Sequence, residues 1–244
     1  MNYAIILAGG TGQRMGNAAT PKQFLLVNGK PIIIYTLEVF QKNPNIDKII
    51  IPCNGAWIDH MKSLIDKYGI TKATNVIQGG KDRTGSILNG MDAIKEVLKP
   101  DDVLIIHDGV RPLVKEETID GNIALVKEKG NAMTVRANIE TVVVTQTGSA
   151  TIDEFTNRDH TYTLTAPQSF RAGELLEVLK RIDELNAQEN TVPILDVSLA
   201  YATLGKEVYL YVEKGNNLKI TTPEDYCVFK AFVELEESKK ILGI

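Results

Sequence analysis

Short runs of β-branched and aliphatic residues alternate along the chain with longer stretches in which apolar positions return every three or four residues. The runs "YAIILA", "DKIIIP", "NVIQ" and "DVLIIHD" are of the first kind, and "PIIIYTLEVFQ", "AWIDHMKSLIDKYG", "RTGSILNGMDAIKEVL" and "ETIDGNIALVKEKG" are of the second. The short runs predict strands and the longer ones helices. After the lysine, Lys48 to Ile51 is apolar without alternating, and so is Val103 to Ile106, as expected of strands covered by helices on both faces. The pattern predicts an α/β fold, doubly wound and Rossmann-like around a mostly parallel sheet.

The rhythm changes after "NAMTVRAN". From Ile139 to Arg158 the text "IETVVVTQTGSATIDEFTNR" is rich in β-branched residues around a Thr-Gly-Ser turn, which predicts an inserted β-hairpin arm at about 138–160. Two isolated strands are marginal in water, so the arm is expected to pack on a partner subunit and make a homodimer. The α/β order then resumes with a helix at "GELLEVLKRIDELN", strands at "EVYLYVE" and "LKIT", and a closing helix from Pro223, whose start is signalled by proline followed by Glu224 and Asp225. One domain spanning 1–244 is expected, with no internal repeat or linker.

Composition narrows the function classes. The 244 residues are 43% hydrophobic, enough for a substantial core. A net charge of -4 argues against nucleic acid as a partner, and against a polybasic membrane surface. The two cysteines, Cys53 and Cys227, lack metal or redox spacing and are expected in the core, reduced. With neither a signal peptide nor a run of about 18 apolar residues, the chain is expected to be soluble and cytoplasmic.

The first strand leads into "LAGGTGQRMG", Leu7 to Gly16. In a doubly wound fold the first strand-to-helix turn is the usual anion cradle, because free N–H groups of the helix end point there. The stretch departs from the dinucleotide fingerprint, since Met15 stands where the third glycine belongs, and from the P-loop, which ends in Gly-Lys-Ser/Thr. A plain glycine turn with a solvent-facing arginine would read the same way. Two features favour a phosphate site instead: Arg14 can meet phosphate oxygens bidentately, and "TPKQF" follows, where Pro21 fixes the backbone before Lys22. An arginine and a lysine beside an N–H cradle suit a triphosphate.

"LAGGTGQRMG" with "PKQF" resembles the nucleotidyltransferase signature. "GGKDRTGSILNG", "HDGVRP", "APQSF" and "NLKITTPED" resemble, in order, blocks of the cytidylyltransferases acting on 2-C-methyl-D-erythritol 4-phosphate or on ribitol 5-phosphate. The resemblance implies a CTP-dependent enzyme that forms a CDP-polyol, with CTP and a polyol phosphate as partners and Mg2+ as cofactor. It implies catalytic roles for Arg14, Lys22 and Lys219, and nucleotide contacts from Leu7, Ala8, Gly9, Gly10, Gly12, Gly79, Gly80, Arg83 and Ser86. It places the metal at Asp108, for which helix capping is the alternative, and the acceptor at Arg111, Thr141, Arg158 and Asp196. Arg111 could equally lock its loop on backbone carbonyls, and Asp196 could cap a helix. His107 is expected to pack or hydrogen-bond.

The departures cluster on the acceptor side. Where the methylerythritol branch shows Asp-Thr-x-Lys, the chain reads Glu140-Thr141-Val142-Val143; Ala166 replaces a common threonine; and "RDHTY" is nearer the ribitol-phosphate branch. Ribitol 5-phosphate is therefore the expected acceptor, with methylerythritol phosphate, which would put the enzyme in isoprenoid rather than teichoic acid biosynthesis, as the alternative. A non-catalytic nucleotide-binding paralogue is the reading from another class; it predicts lost lysines, and both Lys22 and Lys219 are present.

Overall fold

The computed structural model describes residues 1–10, 20–146, 150–186 and 196–243. β1 (Asn2–Leu7) is followed by a small ribbon of β2 (Leu26–Val27) and β3 (Lys30–Pro31). Next come α1 (Ile32–Lys42), β4 (Lys48–Cys53), α2 (Ile58–Tyr68), β5 (Ala73–Gln78), α3 (Arg83–Asp92), β6 (Val103–Asp108) and α4 (Glu116–Lys129). The chain continues through β7 (Asn131–Ala137), β8 (Val143–Val144), β9 (Glu154–Phe155), β10 (Tyr162–Arg171), α5 (Ala172–Asn186), α6 (Val197–Thr203), β11 (Leu210–Val212) and α7 (Pro223–Leu242).

A seven-stranded sheet has the order β11-β7-β10-β6-β1-β4-β5. Its neighbours are parallel except where β10 runs antiparallel to β6 and β7. The central strands send successive side chains to opposite cores, as the two-residue period of a strand requires. Ala4 and Ile6 of β1, Ile49 and Ile51 of β4, and Ile105 of β6 meet the core shared with α1, α2 and α4. Tyr3, Ile5, Ile50, Leu104 and Ile106 meet the core shared with α3, α5 and α6. Both faces are covered, which is why these strands read as unbroken apolar runs.

Three expectations need correction. "LKIT" is not a strand: Ile220 is buried in a third core with Val27, Ile32, Val110, Phe229 and Val233, Leu218 packs partly buried against the same core, and the Ile220 N–H donates to the carbonyl of Val110. "EVYLYVE" forms a strand only at Leu210–Val212, pairing with β7. Cys227 is exposed on α7, while Cys53 is buried, and both are free thiols. α7 starts as expected, with Pro223 in its first turn and a capping box between Thr222 and Asp225.

The arm is present as β8 paired antiparallel with β9, Val143 opposite Phe155. Its Thr-Gly-Ser turn lies outside the described residues. Ile139, 82% exposed, and Phe155, 69% exposed, put large apolar groups in water at this arm. No helix among the described residues is long and apolar enough to cross a membrane.

Candidate active site

β1 and β6 are parallel neighbours, yet the chain leaves β1 towards β4 and β5 and returns to β6 on the other side. Ligands of doubly wound folds bind in the crevice such a reversal opens at the strands' carboxyl ends. The last residues of the two strands, Leu7 and Asp108, are register partners there. A cavity of about 490 Å³ opens at this point.

Its lining gathers most of the residues singled out from the sequence: Leu7 to Gly10 and Lys22, Gly80, Arg83 and Ser86, and Asp108 with Lys219. Gly12 and Arg14 lie outside the described residues. Gly79 sits just behind the wall, its N–H donating to the carbonyl of Cys53 at 2.8 Å. Arg111 lies beneath, and Thr141 and Arg158 are exposed at the arm, outside the cavity lining.

Asp108 organises the floor. Only 6% exposed, it receives Arg83 Nη1 on Oδ1 at 2.8 Å, and Arg111 Nε and Lys219 Nζ on Oδ2 at 2.9 and 3.1 Å. Burial alone would raise its pKa, but Arg83, Lys219 and Arg111 outweigh it and hold the carboxyl well below the usual carboxylate range. Three cations on one carboxylate leave a local positive excess in a chain of net charge -4. That excess is suited to an anion.

The Lys219 segment is held by side chains instead of a sheet ladder. Arg111 Nη1 donates to the carbonyl of Asn217 at 2.7 Å, Lys22 Nζ donates to the carbonyl of Ile220 at 2.8 Å, and Asn217 donates to Glu213 Oε2 at 2.9 Å and to the carbonyl of Ala166. Lys22 and Lys219, far apart in sequence, thus meet at one stretch of backbone. Arg111 takes the role of locking its loop, through both Asp108 and Asn217. Burial lowers the pKa of His107 to about 4, so its ring is neutral; Nε2 lies 3.2 Å from the carbonyl of Arg111 and the ring packs on Phe40.

Opposite lies the loop opening α3. Asp82 caps that helix through the Gly85 N–H at 2.7 Å, and the Ser86 hydroxyl donates to the carbonyl of Asp82 at 2.8 Å while accepting from the Gly80 N–H at 3.1 Å. The proton of Ser86 is committed to the loop, so a base would meet its remaining lone pair. A Cβ on Gly80 would stand 2.2 Å from the carbonyl carbon of Gly85 and 2.6 Å from the N of Ser86. Backbone cannot yield as a side chain does. Gly80→Ala is expected to open the loop, lower stability by about 1–3 kcal/mol and raise the KM for nucleotide, read by thermal melting and initial rates.

Asp196 is a helix cap, its Oδ1 accepting from the Ser198 N–H at 2.8 Å. It also receives Gln168 Nε2 at 3.0 and 2.9 Å on its two oxygens, and Gln168 Oε1 lies 3.4 Å from Arg83 Nη2, which links α6 to the cavity floor. Gln168, Gln23 and Asn217 were not singled out from the sequence. Each lies in a block already quoted, "APQSF", "PKQF" and "NLKITTPED", but within those blocks an amide reads no differently from a surface polar residue.

No group of three or more His, Cys, Asp or Glu side chains among the described residues could hold a metal by itself. Mg2+ is ordinarily held by one or two carboxylates with substrate phosphates and water. Asp108 therefore fits an ion that arrives with a nucleotide, and the donor set does not fit a cage built from protein alone.

The model of the family described as 2-C-methyl-D-erythritol 4-phosphate cytidylyltransferase matches residues 2–235. The chain belongs to this cytidylyltransferase family. Within and around the family, the chain is 39% identical over 245 residues to a ribitol-5-phosphate cytidylyltransferase of Streptococcus agalactiae serotype III (strain NEM316), all of both chains being covered. It is 38% identical over 243 residues to one from Vibrio parahaemolyticus serotype O3:K6, again over 100% of each. The crystal structure of 4-diphosphocytidyl-2C-methyl-D-erythritol synthase from Anaerococcus prevotii DSM 20548 superposes with a TM-score of 0.77 at 25% identity, covering 96% of each chain. The cytidylyltransferase fold and the cation-lined crevice thus occur together in this chain.

Proposed function

We propose that this chain transfers the cytidylyl group of CTP to ribitol 5-phosphate, forming CDP-ribitol and releasing pyrophosphate. The observation that carries the acceptor is the full-length likeness, at 36–39% identity, to proteins from Streptococcus, Vibrio and Lacticaseibacillus that are all named for ribitol 5-phosphate. The family and solved-structure names favour methylerythritol 4-phosphate as the second reading.

In the proposed reaction a phosphate oxygen of the acceptor attacks the α-phosphorus of CTP. The bond to the bridging oxygen of the β-phosphate breaks in line, and its electron pair leaves with pyrophosphate. The second pKa of a phosphate monoester is about 6, so the nucleophile is already mostly dianionic at neutral pH and needs no general base. The barrier is the meeting of two anions and the growth of charge at phosphorus, which fixed cations relieve. Lys219 stabilises the oxygens at the reacting phosphorus, Lys22 contacts the α-phosphate region, and Gly10 holds the β- and γ-phosphates together with Gly12 and Arg14, whose roles rest on the resemblance of the glycine loop. Arg83 and Arg111 keep Asp108 ionised and in place. Mg2+, held by Asp108 with phosphate oxygens of CTP, would neutralise charge on the triphosphate.

The acceptor is assigned to Thr141 and Arg158 of the arm, approached across a homodimer. The water-exposed Ile139, Val143 and Phe155 support such a partner surface. A cytoplasmic setting suits a reaction drawing on CTP and leaving both cysteines reduced. Pyrophosphate release with ribitol 5-phosphate and each of CTP, UTP, ATP and GTP tests the nucleotide: CTP is expected to be preferred, with CDP-ribitol identified by mass, and equal use of any purine triphosphate would contradict the reading.

A further inference from the structure

We infer that Gln23 is a positioning residue that sets the phosphate cradle and locks it to Lys22, an inference that rests on the nucleotide reading just given. Gln23 is 2% exposed, yet its edge reaches the cavity lining. Its amide nitrogen donates to the carbonyl of Ala8 at 2.8 Å and to that of Gly10 at 3.1 Å, so both hydrogens go to the glycine stretch. Ala8 lies past the end of β1, where the regular strand pairing stops.

These two bonds fix more than they touch. In a planar trans peptide the carbonyl oxygen and the following N–H point to opposite sides. Holding the Ala8 carbonyl on the buried amide therefore turns the Gly9 N–H away from Gln23, and Gly9 is exposed on the cavity side. Among the described residues, chain neighbours apart, no atom lies within 4 Å of where a Cβ on Gly10 would be, which leaves that side of its backbone open to a ligand.

The amide is itself held still. Gln23 is the middle residue of the 3-10 turn Lys22–Phe24. On one side of it Lys22 Nζ is bonded to the carbonyl of Ile220, and on the other the ring of Phe24 stacks on Trp57 with centroids 4.9 Å apart. The turn is pinned at both neighbours, so Gln23 carries the position of Lys22 over to the glycines. A side chain in this place needs two donors on one end, no charge and this length. Glutamine supplies all three.

The test uses Gln23→Met, which keeps the shape without donors, and Gln23→Glu, whose carboxylate faces two carbonyl oxygens. Binding of inorganic tripolyphosphate, which needs neither base nor acceptor, is measured by calorimetry beside CTP kinetics and melting temperature. Gln23→Met is expected to weaken tripolyphosphate and raise the KM for CTP by about tenfold with kcat and acceptor KM nearly unchanged, the pattern of lost uniform binding. Burial against two carbonyl oxygens raises the carboxyl pKa of Gln23→Glu above the usual carboxylate range. This variant is therefore expected to be worse at pH 8 and to recover part of the loss at pH 6 as the protonated carboxyl donates one hydrogen, a recovery absent from Gln23→Met. Tripolyphosphate affinity and CTP KM within twofold of the parent in Gln23→Met overturn the inference. Should that variant not fold, a Gln23→Glu protein with no recovery at pH 6 overturns it equally. A parent that binds tripolyphosphate but does not turn over CTP would sink the proposed function while the Gln23 comparison still reads out.

Discussion

Lys219→Ala is expected to lower kcat by about 100- to 1,000-fold, the range seen when one preorganised donor to a developing charge is removed. The KM for CTP should change by less than about threefold. The reasoning starts from the floor of the cavity. Lys219 Nζ is 3.1 Å from Asp108 Oδ2, but Arg83 and Arg111 also pair with that carboxylate and stay when the lysine goes. The site therefore keeps its shape and loses one cation. A group that matters most as negative charge gathers at phosphorus acts on the transition state more than on bound CTP. Steady-state rates at varied CTP check this, and an equal loss in KM with kcat intact would move Lys219 to a binding role.

Asp108→Asn is expected to be the costliest single change at the site, lowering stability by about 3–5 kcal/mol, the usual effect of removing one partner of a buried ion pair. Arg83, Arg111 and Lys219 would be left facing one another without a carboxylate. The pH dependence has a definite sign. The folded pKa of Asp108 is depressed, so its stabilisation is complete above the unfolded value of about 3.9 and is lost as pH falls through the folded value. The gap in stability between parent and variant should be full at pH 7 and narrow as the pH drops below about 4. Urea unfolding at several pH values measures it. A gap independent of pH would mean that the charge of Asp108 contributes nothing to the fold.

Sequence made the central sheet legible because burial on both faces forces unbroken apolar runs, and β1, β4 and β6 carry them. β10 was missed for the opposite reason: its text "YTLTAPQSFR" mixes threonines with a proline, and it becomes a strand through neighbours on both edges, β6 and β7. The Lys219 stretch misled because "LKIT" has strand composition, whereas Asn217, Arg111 and Lys22 hold it in an irregular path. The glycine and lysine motifs were readable since each is local. The charge cluster was not, because Asp108 meets Arg83 from 25 residues before it and Lys219 from beyond β11, and no spacing rule encodes that meeting. Buried amides such as Gln23 and Gln168 look like surface polar residues until the fold encloses them.

Thr141 and Arg158 stand at an exposed arm outside the cavity lining, so the choice of acceptor is the central claim to test. The direct measurement is kcat/KM for ribitol 5-phosphate and for 2-C-methyl-D-erythritol 4-phosphate, each with saturating CTP and Mg2+, followed by pyrophosphate release. A clearly higher value for ribitol 5-phosphate, with CDP-ribitol formed one for one with pyrophosphate, is the predicted result. An equal or higher value for the methylerythritol phosphate, or no release with either, would contradict it.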